Sequence, residues 1–599
     1  MNQSDTLNPR RRWLVALLLK PWFPLAVIAV AMILVLPAVR VGWALDDYYQ
    51  RWLLLGSSMY PAIGHPRLDM FDFADGNPEQ IERAKEIGFL PWWSSPNIRA
   101  AFWKPVTALT HLVDYTLWPS SPEAMHLHSL VWFCLFLWSV ALLYRQNMGR
   151  STAAAMAMLL FALDGAHAIP AAWIANRNSV LAALFGVLAI YAHVRWRRDA
   201  RWWCAIIAPA LLAASLLSAE AGLGTCAYLL AYEVMLGHGN WRPKICCLLP
   251  YTLIVVVWRV AWSWQHYGVV EAGLSYIDPL KDPLGFLGGT IVRIPILLLG
   301  QWALPPAEVI LILSPIAAAC LALAGVIVMA LLTVAFFPLL RISAVARFWA
   351  LGMLCAAVPI AAAVPMNRHL LFVGIGAMGL LGQYLASALR ARFWRVAGVK
   401  KMLQSGLVGA MGLIHLVLAP LILVVMAAFP LGPPQYLGYM HLIPGVAEDE
   451  KNRDLLIVNH PLPMHVQDLL SQRIVDGQPL PRSTVILAPA STSLSISRPD
   501  SKSLLVHAEG GFFTNPSTRL GSSIEHPLHR GDLIALPTVD ITVQQATADG
   551  RPIDVLYRFK VPLEDRSLHW ICRQSGRFTS FEPPKVGEIR QLPAAESPF

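Results

Sequence analysis

The chain has 599 residues, of which 56% are hydrophobic and only 14% are charged. Soluble proteins average about 25% charged residues, so this composition excludes a soluble globular protein of this length. The formal net charge of +10 does not indicate a nucleic-acid partner, because the Lys and Arg residues collect in short loops between apolar runs, as they do in membrane proteins.

Apolar runs long enough to cross a bilayer recur along the chain and predict a polytopic α-helical membrane protein. The first run follows the basic flank "NPRRR" and no small-residue cleavage site comes after it, so we expect a retained signal anchor. About eleven transmembrane helices are predicted, at residues 22–41, 127–144, 152–171, 179–194, 203–218, 221–236, 245–263, 309–337, 348–365, 370–388 and 404–428.

The charges of the connecting loops predict a cytoplasmic N-terminus and an external C-terminus. With that orientation every cytoplasmic loop is basic, namely 145–150, 195–201, 240–244, 341–347 and 390–401. The apolar stretch 286–304 would break the alternation if it crossed. Because it contains Arg293, Pro295 and a pair of glycines, we expect it to be interfacial or re-entrant.

Two domains are predicted. Residues 1–429 form the transmembrane domain, whose first extracytoplasmic loop is large, about 42–126. Residues 430–599 form a small, mainly β extracytoplasmic domain, because alternating runs such as "STVILAPA" and "PIDVLYRFKV" are separated by Gly, Pro, Asn and Asp. Within it, "DLLIVNHPLPMHVQDLLSQRI" predicts one strand followed by a short helix.

An acidic pair follows the first span, in "RVGWALDDYYQRW" (40–52). At the rim of a membrane, mutual repulsion and partial desolvation raise the pKa of one of two neighbouring carboxyl groups, which makes it a better proton acceptor. Asp46 and Asp47 are therefore candidates for a general base. Asp69, Asp72 and Asp75, further along the same loop, are read equally well as a solvated stretch, since their spacing matches no metal-ligand pattern.

Other ionisable residues collect near the same predicted face, where they are costly and mark a functional site by default. The candidates are Lys104, His126, His128, Arg177, Glu220, Arg259, Arg293, Arg368 and His369. Asp164 and His167 lie late in the third predicted span. Simpler roles stay open, because an Arg at a helix end often only anchors the helix at the interface and a lone His often caps or packs.

Three stretches resemble the GT-C superfamily of membrane glycosyltransferases, and more specifically the protein O-mannosyltransferase-like members that carry tetratricopeptide repeats. They are "FWKPVTALTHLVDYTLWPSSPEAMHLHSLVWF" (102–133), "FALDGAHAIPAAWIANRNSVLAALFGVLAIYA" (161–192) and "LLSAEAGLGTCAYLLAYEVML" (216–236). Three departures accompany the resemblance. Lys104 replaces the usual Arg, Ala219 replaces a usual Lys, and the repeats are absent.

The resemblance implies a hexosyl- or pentosyltransferase that moves a sugar from a polyprenyl-phosphate donor to a glycan, lipid or protein acceptor. The transfer would take place on the extracytoplasmic face of a cytoplasmic membrane. Because no organellar targeting signal is visible, we expect this to be a bacterial inner membrane. The cations Lys104, Arg177, Arg259, Arg293 and Arg368 would bind the donor phosphate. Superfamily members place the acceptor-facing acid at the end of the first helix, and either member of the pair fits that position. Asp47 is the expected base, because it lies further into the aqueous loop where a polar acceptor would approach, and Asp46 orients local structure.

No obligatory metal or other cofactor is expected, although a divalent cation is left open, since some members of the superfamily use one. Two other functions stay open as well. One is a non-enzymatic scaffold or transport component on the same frame. The other is an enzyme of the O-antigen ligase or polymerase type, which uses lipid-diphosphate donors and relies on Arg and His.

Overall fold

The computed structural model of the protein describes residues 9–55, 67–272, 276–389, 399–430, 451–463, 466–514, 521–522, 526–575 and 577–594. The chain divides into two compact units. The first comprises Met1–Gly42, Lys104–Ala261 and Tyr276–Pro430, and the second comprises Trp43–Trp103, Trp262–Ser275 and Leu431–Phe599. Most of the first predicted extracytoplasmic loop is thus in the same unit as the C-terminal tail.

The protein is mostly helical. Numbered along the chain, the helices are α1 Pro9–Leu18, α2 Phe23–Val35, α3 Asp46–Leu55, α4 Pro78–Ile87, α5 Pro105–Leu117, α6 Pro122–Met148, α7 Thr152–Ala162, α8 Ala168–Ala172, α9 Arg177–Asp199, α10 Cys204–Leu216, α11 Gly224–Met235, α12 Trp241–Trp264, α13 Pro283–Trp302, α14 Pro315–Ile342, α15 Ala344–Ile360, α16 Leu371–Leu389, α17 Val399–Leu413, α18 Ala419–Ala428 and α19 Val466–Val475.

Among the described residues, eight helical stretches are long and apolar enough to cross a membrane. They are Phe23–Arg40, Pro122–Met148, Ile174–Asp199, Trp241–Trp264, Pro283–Trp302, Pro315–Ile342, Leu371–Leu389 and Lys401–Ala428. A ninth, predicted at 152–171, is bent by 48° between α7 and the turn that leads into α8. The multi-pass helical prediction is confirmed, although α10, α11 and α15 are shorter than a typical span.

Serine caps explain where several of these helices begin. Ser121 Oγ accepts the N–H of Ala124 at the start of α6, and Ser151 Oγ accepts the N–H of Ala154 at the start of α7. Ser343 caps α15 in the same way. Each hydroxyl satisfies one of the N–H groups that the first turn of a helix leaves without a partner.

The stretch 286–304 forms most of one continuous helix, α13, which is long and apolar enough to cross a membrane, and its interfacial or re-entrant position stays a prediction. Nη1 of Arg293 donates to the carbonyl oxygens of Ala361 and Ala362, at 3.0 Å each. These carbonyls lie at the C-terminal end of α15, where a helix favours a cation. The charge is therefore compensated inside the protein, and the helix around it remains apolar.

α13 and α14 run in the same direction. A side chain at Gly325 would collide with the carbonyl oxygen of Pro295, and the ring centroids of Trp302 and Phe336 are 5.5 Å apart. Because contacts advance along both helices together, residues 303–314 must return toward the side on which α13 begins. The external position of the tail stays a prediction.

The described residues of the second unit form three sheets, with strand orders β1-β2-β3, β13-β6-β7-β10-β9-β8 and β12-β11-β4-β5. The strands are β1 Asp72–Asp75, β2 Arg99–Ala101, β3 Gly268–Val270, β4 Asp454–His460, β5 Ser483–Pro489, β6 Leu494–Ser497, β7 Ser503–Ala508, β8 Leu533–Ala535, β9 Val539–Ala546, β10 Pro552–Phe559, β11 Leu568–Gln574, β12 Arg577–Ser580 and β13 Ile589–Leu592.

The predicted β character of the tail is confirmed, and one of its sheets also has an α/β element. β4 pairs in parallel with both β5 and β11, and α19 connects β4 to β5. A parallel strand pair needs such a crossover connection. Every residue of β4 and β5 is buried, which explains why these two runs are almost continuously apolar rather than alternating.

Candidate functional site

The acidic pair lies in the second unit and begins a new helix, α3, instead of ending the first span. Asp47 is 1% exposed, and its Oδ2 accepts the backbone N–H of Ala44 at 2.9 Å. Asp46 is half-buried and precedes it. The expectation that Asp47 faces water is therefore wrong: its carboxylate is used inside the protein, and Asp46 is the more accessible member of the pair.

The face of α3 that carries Asp47 packs against α19 of the tail. Burial, followed by the negative charges of Asp47 and Asp468, raises the pKa of Tyr48. One turn further, Nη1 of Arg51 forms an ion pair with Asp476 Oδ1 at 2.9 Å. No local pattern predicts these partners, because more than 400 residues separate them along the chain.

The loop carboxylates are not a plain solvated stretch. Asp72, on β1, is 6% exposed. Burial, followed by the charges of Asp69 and Asp75, raises the pKa of the Asp72 carboxyl to about 8. The hydroxyl of Tyr267 donates to Asp69 Oδ1 at 2.8 Å, and Nε of Arg99 donates to the carbonyl oxygen of Asp75 at 3.0 Å.

Arg177, predicted to bind the donor phosphate, is completely buried in the first unit. Its Nη2 forms an ion pair with Asp114 Oδ2 at 2.6 Å, and its Nε donates to Ser129 Oγ at 2.9 Å. Asp114 is completely buried too, and its Oδ1 lies 2.5 Å from Nδ1 of His128. This network occupies the guanidinium, and the arrangement does not favour a role in binding phosphate.

Two predicted histidines also have internal partners. Trp132 Nε1 donates to Nε2 of His128 at 2.9 Å, so Nδ1 carries the proton that faces Asp114. Nε2 of His126 lies 2.9 Å from the carbonyl oxygen of Gly42, and His126 is completely buried. These contacts fix the start of α6. The two histidines therefore have the capping and packing role that the sequence left open beside a functional one.

Arg259 has an acidic partner as well. Its Nη2 lies 2.7 Å from Asp278 Oδ2, and Asp278 is 8% exposed. Burial, followed by the charges of Glu220 and Asp278, raises the pKa of Tyr276. Asp278 already balances the charge of Arg259. Arg293, as described above, is engaged by backbone carbonyls.

The remaining predicted cations lie in the first unit, where both lower the pKa of the same imidazole, and an acid that the sequence did not single out contacts the turn that carries this imidazole. We call Lys104, Arg368, His369 and Glu308 the cation cluster. Burial, followed by the positive charges of Arg368 and then Lys104, lowers the pKa of His369 to about 3. Burial raises the pKa of Glu308, and the charge of Arg368 opposes that shift.

Backbone and aromatic contacts hold this cluster in place. Oε1 of Glu308 accepts the N–H of Asn367 at 2.6 Å, which fixes the turn carrying Arg368 and His369. The guanidinium of Arg368 lies 5.4 Å from the ring centroid of Trp173. The sequence did not predict Glu308 as a site residue, because it adjoins an apolar run and its partner is the turn at 367–369, about 60 residues later.

Within the described ranges, no three His, Cys, Asp or Glu side chains are placed to hold a metal ion. The expectation that no obligatory metal is needed stays a prediction.

Asp164 and His167 lie at the break between α7 and α8, and Asp164 Oδ2 accepts a hydrogen bond from Gln301 at 2.7 Å. That bond connects the break to the end of α13.

No protein-family model and no curated protein sequence matches the chain. Two solved structures of the Archaeoglobus fulgidus oligosaccharyltransferase resemble it, one in the apo form and one tethered by a disulfide bond to an acceptor peptide containing the NVT sequon. Both are 12% identical, with a TM-score of 0.41. The matches cover 76% and 78% of this chain but only 64% of each of those chains. A likeness at this level assigns neither a family nor an activity.

Proposed function

We propose that the chain is a GT-C type membrane glycosyltransferase. It moves a hexose or pentose from a polyprenyl-phosphate donor to a glycan, lipid or protein acceptor on the extracytoplasmic face of a bacterial cytoplasmic membrane. The observation that carries this proposal is the cation cluster, because two basic side chains outside the apolar spans act on one imidazole and Glu308 fixes the turn that carries one of them.

A donor phosphate is the ligand chemistry that this cluster suits. Lys104 directly precedes α5 and Arg368 shortly precedes α16, so the N-terminal ends of two helices add to the positive potential. The low pKa of His369 keeps its imidazole neutral at physiological pH, where it can still donate or accept a hydrogen bond. Trp173 and Glu308 restrain Arg368 before any ligand arrives, which reduces the entropy lost on binding.

The proposed base is Asp46, with Asp47 as a positioning residue. An acceptor hydroxyl must lose its proton as it attacks the anomeric carbon, and a carboxylate that water and acceptor can reach is needed for this step. Asp46 is half-buried, whereas Asp47 is 1% exposed and accepts the Ala44 N–H. This assignment reverses the order of preference that the sequence suggested.

Transfer from radiolabelled polyprenyl-phosphate sugars in membrane preparations tests the proposal. We expect label to move to at least one acceptor of a broad panel, and Asp46→Asn to lower the rate by a factor on the order of 10²–10⁴. Asp47→Asn should lower the yield of folded protein more than the rate per folded molecule. Full turnover by both variants would end the assignment of the pair.

An enzyme that uses lipid-diphosphate donors is the second candidate, favoured by one observation: Arg368 and His369 are adjacent in the cation cluster. The two candidates are separated by offering mono- and diphosphate-linked donors side by side. Label that never leaves either carrier would favour the scaffold function instead.

A further inference from the structure

The short helix α5 distributes its side chains in the opposite way to a helix of a water-soluble protein. The residues that it buries include the polar ones Thr107, His111 and Asp114. At every fourth position it exposes an apolar side chain, namely Leu109 (51% exposed), Val113 (45%) and Leu117 (63%). A single exposed Leu is ordinary on a protein surface, but these three lie in a row on one helix face. We call Leu109, Val113 and Leu117 the α5 stripe.

The helix α4, which comes from the same predicted loop, shows the usual pattern. It buries Ile81 and Ala84. The side chains that it exposes are charged, namely Glu79, Glu82, Arg83 and Glu86. Water solvates such a face well, whereas it covers a continuous apolar stripe at a cost in free energy. The difference between the two helices indicates that they have different surroundings.

The contacts of α5 place it at one rim of the membrane-spanning helices. Oγ1 of Thr107 donates to the carbonyl oxygen of Ser218, just beyond the end of α10, at 2.9 Å. Nη1 of Arg177, the first residue of α9, donates to Oγ1 of Thr110 at 3.3 Å. Because α10 runs back along α9, the end of α10 and the start of α9 lie on the same side of the membrane.

A contact with α6 fixes the depth of the α5 stripe. Oδ1 of Asp114 lies 2.5 Å from Nδ1 of His128, in the second turn of α6. α6 is long and apolar enough to cross the membrane. Its own exposed apolar row begins one residue before this histidine, with Leu127, Val131 and Leu135. The α5 stripe is therefore level with the beginning of the lipid-facing row of α6.

A hydroxyl beside the stripe has its hydrogen bond inside the helix. Thr116 is exposed, and its Oγ1 donates to the carbonyl oxygen of Leu112, one turn earlier, at 2.6 Å. A hydroxyl with this partner does not depend on water, so it is compatible with apolar surroundings.

We infer that α5 is an interfacial helix and that acyl chains of membrane lipids cover the α5 stripe. Part of the first predicted extracytoplasmic loop then lies in the membrane. The occupant is lipid rather than a second protein chain, because the stripe continues the surface that α6 already presents to lipid. This inference rests on the packing of α5 and holds whether or not the chain transfers a sugar.

Photo-crosslinking of the full-length protein in liposomes of phosphatidylethanolamine and phosphatidylglycerol tests the inference. Benzoylphenylalanine is placed at position 109, 113 or 117, and mass spectrometry identifies what each ring captures. Position 131, on the exposed row of α6, is the positive control, and position 83, on α4, is the water-facing control.

We expect phospholipid adducts at all three positions of the stripe, as at position 131, and none at position 83. Adducts with a second protein chain in place of phospholipid would overturn the inference. So would the absence of lipid adducts from the stripe in a protein that forms them at position 131.

Thiol labelling in the same liposomes gives a second measure that needs no bulky residue. Leu109→Cys and Leu117→Cys should react with a membrane-impermeant maleimide about tenfold more slowly than Arg83→Cys, because the reactive thiolate forms in water. Labelling of the wild-type protein gives the background from the native cysteines. The difference should vanish in sodium dodecyl sulfate, and equal rates in the liposomes would contradict the inference.

Discussion

Replacing Arg177 with Met should destabilise the first unit strongly, because it removes the charge that compensates a buried carboxylate. Both members of the Arg177–Asp114 pair are completely buried. Breaking a buried pair from one side costs about 3–5 kcal/mol, since the remaining charge is left uncompensated. The variant also loses the hydrogen bonds from the guanidinium to Ser129 and to the carbonyl oxygen of Met125.

Denaturant titration of the purified protein in micelles measures this cost, and a double-mutant cycle isolates the pair. Asp114→Leu alone should also be costly, because it strands the buried guanidinium. Arg177→Met combined with Asp114→Leu should lose less stability than the two single variants summed, by about 2 kcal/mol or more.

Two results would refute this account. One is additivity, in which the double variant loses as much stability as the two single variants together. The other is an Arg177→Met protein of unchanged stability that no longer binds the donor. That second outcome would restore the role in phosphate binding that the sequence suggested for Arg177.

Three further predictions concern pH, topology and metal. The folded state raises the pKa of Asp72 from 3.8 to about 8, so its protonated form is favoured and stability falls as pH rises through this range. Asp72→Asn should flatten that fall between pH 5 and 8.5 in thermal unfolding, and an unchanged slope would contradict the assignment. Reporter fusions after residue 345 should be cytoplasmic and those after residue 500 external. A cytoplasmic tail would mean that α13 counts as a full crossing. Exhaustive chelation should leave transfer unchanged, whereas loss restored by Mn²⁺ or Mg²⁺ would show a required metal.

The helices were largely predictable because the signals behind them are local. Apolar length predicts a span without reference to any partner, and Ser121 and Ser151 cap the helices that follow them. For α13 the sequence could not show that the Arg293 charge is compensated, because the carbonyl oxygens that do so follow α15, about 70 residues away.

The site was less predictable, since its geometry depends on distant partners. Arg177 looked like an exposed cation until its ion pair with Asp114, 63 residues earlier, placed it in the interior. Asp47 was predicted to be accessible, but α19 of the tail, more than 400 residues away, packs against its helix and Asp47 is buried. Glu308 adjoins a hydrophobic run and shows its role only through its contact with the turn at 367–369.

Donor-dependent sugar transfer by the double variant Lys104→Ala/Arg368→Ala tests the central claim most directly. Each cation should contribute a charged hydrogen bond to the donor phosphate, so the account predicts a loss in kcat/KM of about 100-fold or more, largely as a raised KM. Lys281→Ala, an exposed cation of the same unit, should transfer as the wild type does. Wild-type kcat/KM in the folded double variant would contradict the assignment of the cation cluster as the phosphate site.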